Sequence, residues 1–376
     1  MRTSQSFLSM NLFPDLIKRY TKENLSAREA QRLAEFIAFG PVIFQTARIM
    51  VKRGILELIR NSENGLTIDE VAEKANLSNY AAKCLLEASL CIGIILINPE
   101  TDRFTISKTG WFLLNDPATK VNIDFNHDVN YLGWFNLEES LVEGKPVGLK
   151  SLGNWPTVYE GLSSLPKHIQ DSWFGFDHFY SDNSFDQALE IIFKNKPKTL
   201  LDVGGNTGRW ALRCVEYDKE VQVTILDLPQ QIEMMKENIK GKPGADRIEG
   251  LGINLLDKNS KMPSNRTFDA IWMSQFLDCF SGEEIISILK KATKVMNKDS
   301  RLYIMETLWD RQRFEPAALC LTLTSLYFTA IANGNSKMYH SEDMEKYVKE
   351  SGLVIESIHD YLGQGHSILV CKLNLK

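Results

Sequence analysis

The sequence lacks cysteines in any metal-binding or bridging arrangement. Its six cysteines stand at 84, 91, 214, 279, 320 and 371, without a CxxC, and its six histidines do not gather around them. Scattered thiols of this kind read as reduced side chains, so neither a metal site nor a disulfide framework is expected. A secretory leader is not expected either: no early stretch joins a basic start, an apolar run and a small-residue cleavage site. No run of about 18 apolar residues suggests a membrane span. Cytoplasm is the expected compartment, with no membrane partner. Excess positive charge is missing as well. The 43 Lys and Arg are outnumbered by 48 Asp and Glu, a net charge of −5, so nothing favours broad binding to phosphate backbones and no nucleic-acid partner is expected. Internal repeats and low-complexity segments are absent. What remains is 376 residues of ordinary globular composition, 44% hydrophobic and 24% charged, which is enough for two domains or a little more.

Residues 1–30 are polar and mixed and read as helical. From Ala34 the texture changes: Phe36, Phe39, Ile43, Ala47, Met50 and Val51 recur at three- and four-residue spacings, the helical period. Thr67 with Glu70 predicts a capping box, and Ser78 a second helix N-cap. Two β-rich runs around Pro99-Glu100-Thr101-Asp102 predict a hairpin. Helix, helix, two-stranded wing is a winged-helix order, assigned here to 1–116. Residues 117–190 show no strand alternation and are rich in aromatics, which reads as a bridge of irregular helices. From 191 to 376 short apolar strands alternate with helices. That alternation predicts an α/β domain with a mostly parallel sheet covered on both faces.

One motif stands out. In "LLDVGGNTG" an apolar strand runs into Asp202, then Gly204, Gly205 and Gly208, then a helix. Glycines let the backbone turn tightly and approach a ligand closely, and the helix beyond offers free N–H groups. Dinucleotide loops read GxGxxG, whereas this one reads DxGGxxG. Asp227 ends the next strand, 19 residues after Gly208, where an acid can accept both hydroxyls of a ribose.

With those residues in place the chain resembles the class I methyltransferases, specifically the O-methyltransferases of plant caffeic-acid and bacterial polyketide-tailoring type. That family shows DVGGGTG, DLP, GGDMF and LHDWSDE in order. Here stand DVGGNTG (202–208), DLP (227–229), GINLL (252–256) and FLDCFSGEE (276–284). The resemblance covers residues 35–376. It implies a Rossmann-like methyltransferase domain with a seven-stranded, mostly parallel sheet, and an N-terminal winged-helix domain that dimerises. It implies S-adenosyl-L-methionine as cofactor and a small-molecule acceptor, methylated on a hydroxyl oxygen of a small aromatic or extended hydrophobic compound. Gly204, Gly205 and Gly208 would pass under the methionine moiety, Asp227 would hold the ribose, and Leu228, Asn254, Leu255 and Ser274 would surround the rest of the cofactor. Asn206 replaces a glycine and Asn254 an aspartate; Asn tolerates positive φ, and its amide oxygen can accept the same hydrogen bond.

The catalytic end departs further. The family's basic histidine is matched by Asp278, and its next aspartate by Cys279. Of two glutamates that orient the histidine, one matches Glu306 and the other falls near Met338. Asp278 and Glu306 are therefore the candidate catalytic pair. A phenol has a pKa of about 10 against about 3.9 for an ordinary Asp, so Asp278 needs burial or a neighbouring carboxylate to serve as base. Alternatively positioning carries the rate, or methyl transfer is lost. The plainer reading of Asp278 is an acid that caps the helix starting near Ser281. Trp134, Trp173, Phe174, Phe176, His178, Met273 and Tyr327 are candidates to line the acceptor pocket, with core packing as the alternative for each. His178 and His340 are candidate displaced bases or ordinary histidines, and Cys279 a packing residue or a nucleophile. Two other functions remain: a cofactor-binding protein of this fold that does not methylate, and a DNA-binding regulator. The second would need a basic recognition helix, and "SNYAAKCLLEAS" carries one Lys.

Overall fold

The computed structural model describes residues 21–263 and 265–375. The helix expected over 1–30 therefore lies mostly outside the described residues. Contacts divide the chain after residue 128 into two units. The stretch 117–190, read above as one bridge, is split by this boundary. Its first part stays with the N-terminal unit because Phe125 is buried and Asp128 pairs with Arg48 at 3.6 Å.

The unit Thr21–Asp128 is helical with one hairpin. Its helices are α1 (Ala27–Ala38), α2 (Gly40–Lys52), α3 (Ile55–Arg60), α4 (Ile68–Lys74) and α5 (Asn79–Cys91), then α6 (Lys108–Asn115) and α7 (Pro117–Phe125) after the hairpin β1 (Ile95–Asn98) and β2 (Arg103–Ile106). Both expected caps form. Thr67 and Glu70 bond each other's backbone N–H, and Ser78 accepts from Ala81 N at 3.2 Å. The antiparallel register sets Ile95 opposite Ile106. Arg103 grips Glu70 through two bonds of 2.9 and 3.0 Å, tying β2 to α4. Met50, Ile55, Leu56, Ile59, Val71, Leu86 and Phe104 fill the core.

The second unit, 129–375, opens with short helical turns, then α8 (Lys167–Ser181) and α9 (Phe185–Phe193). Strands and helices then alternate: β3 (Thr199–Val203), α10 (Arg209–Tyr217), β4 (Gln222–Asp227), α11 (Pro229–Ile239), β5 (Ile248–Gly252), β6 (Ala270–Ser274), α12 (Gly282–Ala292), β7 (Arg301–Glu306), α13 (Glu315–Tyr327), α14 (Ser341–Glu350), β8 (Leu353–Leu362) and β9 (His366–Leu373). They form one seven-stranded sheet, ordered β5-β4-β3-β6-β7-β9-β8, with β9 antiparallel to its neighbours. Strand alternation sorts neighbours to opposite faces. Leu201, Ile271, Met273, Leu302 and Ile304 enter one core layer; Leu200, Trp272, Tyr303 and Met305 enter the other, where Trp210 stacks on Trp272 at 4.5 Å.

The helix Glu315–Ala332 is long and apolar on average, yet Thr and Ser interrupt it, so it is not an unbroken run of about 18 apolar residues. By length and mean hydropathy (1.3) it is long enough to cross a membrane, although 39% of it is buried inside the protein. Thr322, Thr324, Ser325 and Thr329 bond carbonyls three or four residues back along the helix.

Candidate active site

The parallel strands β3, β4, β6 and β7 end side by side at the carboxyl edge of the sheet, and the loops beyond them carry the motif residues. After β3 the chain must reverse sharply. Gly204 (φ +78°), Asn206 (φ +46°) and Gly208 (φ +79°) take left-handed backbone, and Gly204 N donates to Leu226 O at 2.8 Å. A Cβ on Gly204 would sit 2.4 Å from the Phe276 ring, so this position admits only glycine.

Asp227 closes the loop from the other side. One carboxylate oxygen accepts from Asn206 N at 2.9 Å and the other from Leu228 N at 2.7 Å. Burial raises its pKa, and the two backbone N–H groups oppose that rise. A carboxylate has roughly four acceptor sites, so two remain for hydroxyl donors. Next to it Asp202 is buried, with Oδ2 lacking any hydrogen-bond partner. That oxygen would lie 2.6 Å from a Cβ on Gly205. Burial, reinforced by the Asp227 charge, lifts the Asp202 carboxyl to about 8. A glycine cradle, an acceptor with spare lone pairs and an orphaned buried carboxyl fit the ribose and the charged amino end of S-adenosyl-L-methionine.

Leu228 is half-buried at the start of α11. Asn254 is exposed, and its Oδ1 accepts from Leu256 N at 2.9 Å. Ser274 ends β6, half-buried. Leu255 and Met273 are placed in the core layer rather than on an open wall.

The turn after β6 holds the candidate catalytic pair. Glu306 is 2% exposed, and its Oε1 accepts from Phe276 N (3.1 Å) and Leu277 N (2.8 Å). It therefore fixes the turn by its backbone, while Oε2 meets no partner. Burial and the Asp278 charge push the Glu306 pKa well up. Asp278 is 6% exposed, and burial raises its carboxyl to about 6. It does not cap α12. Ser281 does so, in a capping box with Glu284. Near Met338 the second glutamate is absent: Met338 is buried and its sulfur accepts from Thr307 Oγ1 at 3.4 Å. Asn333 instead holds the turn, donating to Cys279 O at 2.7 Å.

Three segments converge on Asp278. Trp173, on α8, donates to the Tyr327 hydroxyl of α13 at 2.8 Å. Tyr159 buries its hydroxyl beside the Cys279 thiol with no hydrogen-bond partner in ordinary geometry. Asp177 lies close enough to Asp278 for the Asp278 charge to raise its pKa, which burial and that charge together bring to about 7. Of the other expected pocket residues, Phe174 packs edge-on against Trp173 (5.0 Å), and Phe176 against Tyr180 (5.0 Å). Trp134 is half-buried on the turn Gly133–Asn136. His178 faces Arg209, whose Nη1 lies 2.9 Å from Nδ1; burial and that cation lower its pKa. His340 caps α14, accepting from Glu342 N at 3.1 Å, and stands beside Asp310. Asp177 and Tyr159 were missed by the sequence reading. Asp177 follows Trp173 by one helical turn, and that spacing was the available signal. Among the described residues no three His, Cys, Asp or Glu gather as a metal site.

Comparison with known proteins adds two family matches. Residues 31–104 match the Dimerisation2-like domain, and residues 184–353 the O-methyltransferase domain. The chain is 28% identical to norreticuline-7-O-methyltransferase of Papaver somniferum over 56% of its length, and this match spans 55% of that relative. It is 22% identical to mitomycin biosynthesis 6-O-methyltransferase of Streptomyces lavendulae, over 82% of the chain and 84% of that protein. The apo structure of the S-adenosylmethionine-dependent methyltransferase SibL superposes with a TM-score of 0.67 at 20% identity, covering 90% of this chain and 98% of that one.

Proposed function

The chain belongs to the S-adenosylmethionine-dependent O-methyltransferase family, and from that premise we propose that it methylates a hydroxyl oxygen of a small aromatic or extended hydrophobic acceptor as a homodimer in the cytoplasm. The observation that carries this reading is the glycine loop closed onto Asp227, with Asp278 and Glu306 on the neighbouring strand ends. S-adenosyl-L-methionine supplies an electrophilic sulfonium methyl when bound. Gly204, Gly205 and Gly208 would hold its methionine end, Asp227 would take the ribose hydroxyls, and Asp202 would answer its amino group. Leu228 and Asn254 would serve the purine, and Ser274 the sulfur end. Asp278 orients the acceptor hydroxyl and removes its proton, and Glu306 keeps Asp278 in place through the turn backbone. Trp173, Tyr327, Phe174 and Trp134 supply apolar and aromatic surface for the acceptor.

A second reading, a cofactor-binding protein of this fold without methyl transfer, is favoured by one observation: an aspartate stands where the family has its basic histidine.

Calorimetric titration with S-adenosylhomocysteine tests the cofactor assignment. Asp227→Ala is expected to weaken binding more than tenfold, since hydrogen bonds to a charged group are worth about 1.5–3 kcal/mol. Equal affinity in wild type and variant would remove the assignment.

A further inference from the structure

We propose that Lys291 is a positioning residue for the cofactor: its ammonium clips the loop after β5 into the shape that offers Asn254 to the purine, and so sets a preference for an aminopurine. The inference rests on the methyltransferase reading of the site. Residues 253–269, between β5 and β6, form no helix or strand among those described. No regular element therefore holds Asn254, which stands where the family has an aspartate. The loop starts against the ribose side of the site. Gly252 pairs with Asp227 across the sheet, and Ile253 N donates to Asp227 O at 2.8 Å. A Cβ on Gly252 would lie 3.0 Å from Pro229 Cα, so the end of β5 abuts the start of α11. Leu228 and Asn254 are thereby brought to one end of the paired strands β4 and β5.

The rest of the loop takes its shape from one side chain of α12. Lys291 Nζ donates to Leu255 O (2.7 Å), to Asp257 O (2.7 Å) and to Ser260 Oγ (2.9 Å). An ammonium carries three N–H donors, so all of them are spent on this loop, on two carbonyls and a hydroxyl rather than on a carboxylate. Hydrogen bonds from a charged donor are roughly twice as strong as neutral ones. The acceptors are themselves linked. Ser260 Oγ donates to Asp257 O at 2.8 Å, Ser260 N to the same carbonyl at 3.1 Å, and Asp257 N to Asn254 O at 3.2 Å. Asn254 Oδ1 accepts from Leu256 N at 2.9 Å, which orients the amide and leaves that oxygen one lone pair for an amino donor. Leu255 anchors its side chain in the same core layer as Ile288 and Leu289 of α12. Helix and loop are therefore already docked, and the ammonium fixes the backbone between the docking point and Ser260. Without it, residues 254–257 keep their backbone bonds only to one another and to Ser260. Lys290, the next residue back, is exposed and makes no such contact with the loop. It shares the last turn of α12 with Lys291, so it serves as a control for the effect of a cation on the helix end.

The test compares two ligands by calorimetry: S-adenosylhomocysteine, and S-inosylhomocysteine, whose purine carries an oxygen in place of the amino group. Lys291→Met is expected to weaken S-adenosylhomocysteine by about five- to tenfold, the worth of a hydrogen bond, and the inosine compound by less, so that the wild-type preference narrows. Ser260→Ala removes one acceptor without touching α12, and should narrow the preference in the same direction by a smaller factor. Lys290→Met should leave both affinities at their wild-type values. A wild type that holds both ligands equally, or a Lys291→Met protein that weakens both by one factor or neither, overturns the proposal, because a merely structural lysine does not act on the ratio. A wild type that binds no S-adenosylhomocysteine removes the cofactor reading itself, and this proposal with it; tight wild-type binding with an unchanged ratio removes only the role of Lys291. Hydrogen exchange of the free protein gives a second measure that needs no ligand. The Leu256, Asp257 and Ser260 amides should exchange faster in Lys291→Met and in Ser260→Ala, while the amides of α12 keep their wild-type rates. Unchanged exchange along the loop in both variants overturns the proposal as well.

Discussion

Asp202 shows how much of this molecule's chemistry lies in single buried acids. Its carboxyl is closed off from water, one oxygen is orphaned, and burial holds its pKa at about 8. An acid whose folded pKa exceeds its unfolded value near 3.9 stabilises the fold below the unfolded pKa, and that contribution is lost as pH rises through the folded one. For Asp202 the window is pH 4 to 8. Asp202→Asn removes the ionisation while keeping the shape. In the absence of ligand its unfolding temperature should exceed that of the wild type at pH 9 and approach it at pH 5. Each kcal/mol is worth about 2–4 °C for a unit of this size. A pH-independent difference between the two proteins in differential scanning fluorimetry would contradict the burial argument. Residues of this kind were only half legible. Asp202 was found because glycines follow it in sequence, Asp227 because it ends the next strand at the expected spacing, and Asp278 because its strand could be aligned. Asp177 was passed over for its neighbour His178, which instead faces Arg209. Nothing local distinguishes a surface acid from one that long-range packing brings to another carboxyl.

Among elements, the turns carry the function and the strands merely aim them. β3 and β6 run parallel in register, with Val203 opposite Met273, so the glycine loop and the Phe276 turn emerge together. Their contact leaves no room for a methyl group at Gly204. Gly204→Ala would force either the Phe276 ring or the loop to move, in a backbone region that alanine avoids. It should destabilise the fold by about 1 kcal/mol or more and weaken S-adenosylhomocysteine binding in the same titration that tests Asp227. Retention of both stability and affinity would mean that the turn is freer than its geometry shows. Elements whose signal is local were legible in advance: the Thr67 capping box, the Ser78 cap, the hairpin, and the alternation of strands and helices. The convergence of α8, α13 and the short turn bearing Tyr159 was not. It depends on side-chain contacts between segments more than 150 residues apart, such as Trp173 with Tyr327.

For the whole molecule, the N-terminal unit leaves Ile37, Phe39 and Val42 more than half exposed along α1 and α2, within the residues that match a dimerisation domain. Clustered apolar side chains of this size seldom face water in a lone protein. A second copy of the chain is the expected cover. Light scattering at low concentration should report twice the chain mass, and a clean monomer would refute the dimer. The central claim is methyl transfer, and a labelled donor tests it most directly. Wild-type protein is incubated with methyl-labelled S-adenosyl-L-methionine and a panel of aromatic and extended hydrophobic acceptors with free hydroxyls. The account predicts label recovered as a methyl ether on at least one of them, increasingly so as pH rises through the ionisation of Asp278. Tight binding of S-adenosylhomocysteine with no label transferred to any hydroxyl, at any pH from 6 to 9, would contradict it and leave a cofactor-binding protein that does not methylate.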